Sequence, residues 1–273
     1  MVGWAGGRDR IAAVAPGDRR ASAPYDPSMR VAAGSVVFDV EAVVFDKDGT
    51  LISLESYWLE PSRRWVETAA AGSLEVMVAL EERLGLLPDA LDPEGPLATA
   101  SLEDLVALTT DTLASIGVPA AAARSRAALA RSRAKSLSAS LSPVAIGDVR
   151  GGLQLLAAAG LRLAVATTDD EAPTLQALRW LGIDDLIDFV VAADGEIPPK
   201  PDRAVLKSIA DRFGILPSSL LMVGDSQRDS DTARAGGAAG FVLVSPDGSS
   251  RIVADAVVTS VDEIQPTPPP AEP

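Results

Sequence analysis

The chain has 273 residues, 47% hydrophobic and 23% charged, enough for one large domain or two modest ones with a real core. Asp and Glu number 38 against 24 Lys and Arg, and the net charge of -14 disfavours nucleic acid and anionic membranes as partners. Histidine and cysteine are both missing, which excludes Ser-His-Asp and Cys-His catalysis, disulfides, and zinc held by His or Cys.

Residues 1–34 are rich in Gly, Ala, Arg, Pro and Asp without periodicity, and a disordered extension is expected there. Ala42 to Phe45 reads as a buried strand. Residues 54–142 then carry helical patterns with almost no strand signal, over Trp58 to Ala71, Leu74 to Leu84, Leu102 to Ile116 and Ala120 to Leu137. This block reads as a helical cap inserted after the first strand. Beyond it, strand and helix alternate. Helices are expected over Asp148 to Ala159, Ala172 to Leu181, Asp202 to Phe213 and Asp229 to Ala235. Strands are expected over Leu161 to Ala166, Phe189 to Ala193, Leu220 to Val223, Phe241 to Val244 and Ala256 to Val258. Such alternation implies an α/β fold, a doubly wound, Rossmann-like parallel sheet built from residues 35–53 and 143–264. The proline-rich tail 265–273 is expected to be unstructured. No apolar run approaches the ~20 residues of a membrane helix, and the N-terminal Ile11 to Ala15 is too short for a signal-peptide core, so a cytoplasmic location is expected.

The chemistry left to such a chain is that of carboxylates, lysine, hydroxyls and hard cations. Three expected strands end in groups of that kind. The first runs into Asp46-Lys47-Asp48-Gly49-Thr50, two acids at the lip of a strand followed by a glycine that lets the backbone turn. The second ends at Thr167-Thr168-Asp169-Asp170, and a later one at Gly224-Asp225-Ser226 with Asp229 four residues on. Lys200 follows the third expected strand, Phe189 to Ala193. In an open parallel sheet, ligands bind beyond the carboxyl ends of the strands, so these groups can converge. Asp46, Asp48, Asp225 and Asp229 crowded together would need a counter-ion, and Mg²⁺ suits carboxylates, waters and a substrate phosphate. Metal, ammonium, hydroxyl and free carboxylate together suit phosphoryl transfer.

Val43-Val44-Phe45-Asp46-Lys47-Asp48-Gly49-Thr50-Leu51 closely resembles motif I of the haloacid dehalogenase-like (HAD) superfamily. Thr167 resembles the motif II hydroxyl, Lys200-Pro201 motif III, and Gly224-Asp225-Ser226-Gln227-Arg228-Asp229 motif IV. The helical insert resembles the C1 cap of the phosphoglycolate-phosphatase-like branch. The resemblance implies a phosphatase acting on a small phosphorylated metabolite. Asp46 would be the nucleophile that becomes a phosphoaspartate, and Asp48 the acid and base. Thr167 would bind the phosphoryl group, with Thr168 the alternative, and Lys200 would neutralise charge. Asp46, Asp225 and the Asp48 backbone carbonyl would hold Mg²⁺, while Asp229 and Gly49 support the site. Asp48 argues against a dehalogenase, whose leaving halide needs no proton. A phosphomutase and a catalytically silent binding domain remain as alternatives. Nothing in the sequence sets an oligomeric state.

Lys47 stands where the family usually has an aliphatic residue, and its side chain is expected to point away from Asp46 and Asp48. Asp169 and Asp170 are candidate caps of the next helix. Arg124, Arg126, Arg131, Arg133 and Lys135 read as a solvated helix face, or as a cap surface that draws anions. Trp58 and Trp65 read as core packing. Arg63 and Arg64 are candidates to bind a substrate carboxylate or second phosphate.

Overall fold

The computed structural model describes residues 30–92, 95–138, 140–248 and 252–267. In chain order the elements are β1 (Arg30–Ala33), β2 (Val36–Phe38), β3 (Ala42–Phe45), α1 (Leu54–Ala70), α2 (Leu74–Leu84), α3 (Pro96–Thr99), α4 (Leu102–Ser115) and α5 (Ala120–Ser138). They continue as α6 (Val149–Ala158), β4 (Arg162–Ala166), α7 (Glu171–Trp180), β5 (Phe189–Val191), α8 (Ala204–Phe213), β6 (Leu220–Gly224), α9 (Gln227–Gly236), β7 (Gly240–Val244), β8 (Ala256–Val258) and β9 (Ile264–Thr267).

Six strands form one sheet in the order β5-β4-β3-β6-β7-β8, every neighbouring pair parallel. These strands are short apolar runs because both faces are covered. Val43, Phe45, Leu163, Val165, Leu221 and Val223 pack on one side with Leu153, Leu156 and Leu178 of α6 and α7. The alternate residues Val44, Ala164, Ala166, Leu220 and Met222 pack on the other with Val205, Leu206 and Ile209 of α8. The chain moves outward from β3 through β4 to β5, then returns to lay β6 against the other side of β3. That reversal opens a crevice beyond the carboxyl ends of β3 and β6.

Helices α1 to α5 build a core of their own around Trp65, Leu80, Leu84, Leu105 and Leu113, with Ala123, Ala130 and Ala134 supplying the close-packed stripe of α5. Within it the Trp65 indole N–H donates to Thr109 Oγ1 at 2.9 Å, so the one polar atom of that buried ring is satisfied.

Two expectations about the ends need correction. Arg30–Ala33 is a strand, not part of a disordered extension, and it pairs antiparallel with β2 and β9 in a separate three-stranded sheet. Ala33 and Val36 are cross-strand partners, so Gly34-Ser35 is a two-residue hairpin loop, with Gly34 at φ 57°. Gln265, Pro266 and Thr267 belong to β9 rather than to a loose tail. β9 is an edge strand, where a proline costs no ladder bond on its outer side. The remainder of the two expected disordered segments, 1–29 and 268–273, lies outside the described residues.

Candidate active site

Asp46 leaves the end of β3 with its amide donating to Val223 O of β6 at 2.8 Å, which locks it into the crevice. Lys200, after β5, is almost fully buried, and its Nζ donates to Asp46 Oδ1 at 2.5 Å and to Asp229 Oδ1 at 2.6 Å. Asp229 uses its other oxygen in a capping box at the start of α9: Oδ2 accepts from Ser226 Oγ at 2.5 Å and from the Ser226 amide at 3.2 Å. One carboxylate therefore both starts a helix and anchors a lysine. Arg228 adds a bond from NH1 to Lys200 O at 3.2 Å.

Asp225 sits beside this bridge. Gly49 has φ 82°, and a Cβ on it would lie 1.8 Å from Asp225 Oδ2. The motif glycine is thus required twice, for the left-handed turn and for room. Asp46, Asp225 and Asp229 each offer an oxygen, and these lie within 4.8 Å of one another. Burial raises the Asp46 carboxyl to about 7, with Lys200 opposing and Asp229 and Asp48 adding to the rise. Burial, then Asp46 and Asp229, hold Asp225 well above the usual carboxylate range. Burial would lower the Lys200 ammonium, but Asp229 and Asp46 outweigh it and raise it. An all-oxygen set of mutually repelling buried carboxylates fits a hard divalent cation. Because both Asp229 oxygens are already engaged, Asp46 and Asp225 are the better placed ligands.

The second acid has its own lysine. Lys47 is fully buried and does not turn away: its Nζ lies 2.7 Å from Asp48 Oδ1, 2.6 Å from Asp48 Oδ2 and 3.3 Å from Asp169 Oδ2. It also stands 5.0 Å over the Tyr57 ring. Strand alternation fails here because the strand has ended: the amides of Leu51 and Ile52 both donate to Lys47 O and fold the segment into a tight loop. Of the two candidate caps, Asp170 takes the N-cap position of α7 and Asp169 does not. Asp169 holds Lys47, while Asp170 occupies the N-cap position of α7 without a side-chain capping bond and pairs instead with Lys135 of α5. Thr167 is buried at the end of β4, its Oγ1 accepting from the Asp169 amide at 3.1 Å.

A cavity of about 230 Å³ opens beside Asp48, between the ends of β4 and the helical layer. Thr168 and Asp169 border it from below, and Leu54, Tyr57, Trp58 and Leu105 from above. Trp58 packs against the helical core and also walls the cavity, whereas Trp65 lies inside the core. Arg63 pairs with Pro88 O and Asp89, Arg64 with Glu67, and neither lines the cavity. Lys47 and Lys135 are the site residues that sequence reasoning passed over. A signal existed: the chain has only four lysines, at 47, 135, 200 and 207, and three of them meet here. A compact ammonium fits between closely spaced carboxylates where a planar guanidinium would not.

Residues 40–237 match the profile of the haloacid dehalogenase-like hydrolases. A phosphoglycolate phosphatase from Nitrosospira multiformis is 40% identical over 119 residues, which are 42% of this chain and 52% of that protein. A phosphorylated carbohydrates phosphatase from Thermotoga maritima is 25% identical over 225 residues, 80% of this chain and 93% of that one. The crystal structure of a HAD-superfamily hydrolase, subfamily IA, from Geobacter sulfurreducens shares the fold, with a TM-score of 0.56 at 21% identity over 83% of this chain and 95% of that chain. The chain spans about half the length of the phosphoglycolate phosphatases it matches, 52% and 51% for two of them. No helix among the described residues is long and apolar enough to cross a membrane.

Proposed function

The chain belongs to the haloacid dehalogenase-like hydrolase family, and on that premise we propose that it is a Mg²⁺-dependent phosphatase of a small phosphorylated metabolite. The observation that carries this reading is the buried Lys200 bridge between Asp46 and Asp229, with Asp225 alongside, at the crevice where the sheet reverses. A carboxylate held there by an ammonium is a fixed, water-poor nucleophile beside a site for phosphate.

In the first half-reaction an Asp46 oxygen attacks phosphorus, and the bond from phosphorus to the leaving oxygen breaks. Asp48, which borders the cavity, gives its proton to that oxygen. In the second, Asp48 takes a proton from water, the water oxygen attacks phosphorus, and the Asp46–phosphorus bond breaks to release inorganic phosphate. Thr167 donates its hydroxyl proton to a phosphoryl oxygen, and Lys200 balances the charge of Asp46 and the phosphate. Mg²⁺, held by Asp46, Asp225 and the Asp48 backbone carbonyl, would supply positive charge to the phosphoryl oxygens. We read helices α1 to α5 as the cap that closes over the leaving group.

The test is release of inorganic phosphate from a panel of phosphomonoesters, with Mg²⁺ and with chelator, by the wild type and Asp46→Asn. The substitution should lower the rate by at least about 10³-fold while the far-UV spectrum stays native. Phosphate release undiminished in Asp46→Asn would sink the mechanism.

A further inference from the structure

We infer that the leaving group this site accepts is uncharged and apolar, an aryl- or alkyl-bearing alcohol rather than a carboxylated or doubly phosphorylated one. The inference rests on the phosphatase reading and concerns what fills the cavity beside Asp48. That cavity is walled by the rings of Tyr57 and Trp58 and by Leu54, Leu97, Leu102 and Leu105. A substrate such as a phosphorylated hydroxy acid needs a cation for its carboxylate, and a bisphosphate needs one for its second phosphate. Among the described residues, the only cationic side chain that lines the cavity is Lys135, and it is already paired with Asp170. Lys47, behind the wall, is enclosed by Asp48 and Asp169. Among the described residues, the other side chains of charge-bearing type that line the cavity are Asp48 and Asp169, both acids. Arg63 and Arg64, the candidates for a substrate carboxylate or second phosphate, lie away from the cavity and are held by their own partners. A carboxylate entering here would lose its water and meet two acidic side chains, with no unpaired cation in exchange. An apolar ring would meet aromatic and leucine surface and displace water from it.

Benzyl phosphate and 2-phosphoglycolate separate the two cases, because both are esters of primary alcohols and differ mainly in what the leaving group carries. Initial rates at saturating Mg²⁺ should give a kcat/KM for benzyl phosphate at least about tenfold above that for 2-phosphoglycolate. Trp58→Ala should erode the preference through KM for benzyl phosphate. Leu102→Lys, which adds a free ammonium to the wall, should move it toward 2-phosphoglycolate. Equal or reversed preference in the wild type would overturn the inference and leave the phosphatase reading intact. If neither ester is turned over, the phosphatase reading is what suffers, and calorimetric binding to the Asp46→Asn protein with Mg²⁺ still decides the pocket. Tighter binding of benzyl phosphate supports the inference there; tighter binding of 2-phosphoglycolate, or binding of neither, overturns it.

Discussion

Lys200→Met removes one positive charge from the site and leaves the packing nearly intact. The ammonium is almost fully buried and bridges Asp46 and Asp229 at 2.5 and 2.6 Å, so its loss strands two carboxylates in the interior. Breaking a buried pair from one side costs about 3–5 kcal/mol. The folded variant can soften that cost by binding a proton, and this gives the effect a pH signature. In the wild type, burial already raises Asp46 to about 7. Between the unfolded value near 3.8 and that point, the folded state binds a proton that the unfolded state lacks, and stability falls as pH rises. Above about pH 7 Asp46 is ionised in both states and its contribution to the slope vanishes. Without Lys200 the folded carboxylate keeps its proton to higher pH, so the fall continues, at about 1.4 kcal/mol per pH unit for each retained proton. Urea unfolding of both proteins in chelator, from about pH 6 to pH 9, measures the difference. The gap between them should widen with pH. A gap below about 1 kcal/mol that is flat across this range would refute the view that Lys200 compensates buried charge.

Other consequences of the site are open to similar measurement. Gly49→Ala places a methyl group 1.8 Å from Asp225 Oδ2 at a left-handed φ of 82°, which costs about 1–2 kcal/mol in backbone strain alone and displaces Asp225. The Mg²⁺ concentration needed for half-maximal activity should rise at least about tenfold, and an unchanged Mg²⁺ titration would separate Asp225 from the metal. Because protons compete with the cation at Asp46 and Asp225, both raised by burial, Mg²⁺ should raise the unfolding temperature more at about pH 8 than at about pH 5.5. An equal shift at both values, by differential scanning fluorimetry, would count against those two carboxylates as ligands.

The parallel sheet was legible because its strands are buried on both faces and end in polar groups of known chemistry. β3 is read from Ala42 to Phe45 in sequence and structure alike, and the helix expected from Asp148 forms with Asp148 as its N-cap. Asp46, Lys200 and Asp229 were recognisable by resemblance, and the structure places them in direct contact. The antiparallel β1–β2–β9 sheet was not read, because Arg30 to Ala33 carries only Val31 as a strong strand former and its second partner lies more than two hundred residues away. The Gly34-Ser35 loop before Val36-Val37-Phe38 was the available cue. Lys47 was misplaced for a different reason. Side-chain alternation holds only while the chain stays extended, and here the backbone folds back on the residue after Asp46.

Each acid of the motif has a buried lysine of its own, and this explains how two carboxylates two residues apart can do different work. Asp46 is drawn by Lys200 into the crevice between β3 and β6, where Asp225 and Asp229 surround it. Asp48 is drawn by Lys47 to the opposite side, against Asp169 at the end of β4, with a quarter of its side chain still exposed at the cavity. Without Lys47 nothing among the described contacts would hold the Asp48 carboxylate near Asp169, and like charge would drive them apart. An aliphatic residue at position 47 would leave Asp169 buried without its cation as well. The lysine at 47 and the acid at 169 therefore stand or fall together, and on the proposed phosphatase reading the pair fixes where the leaving-group oxygen meets its proton donor.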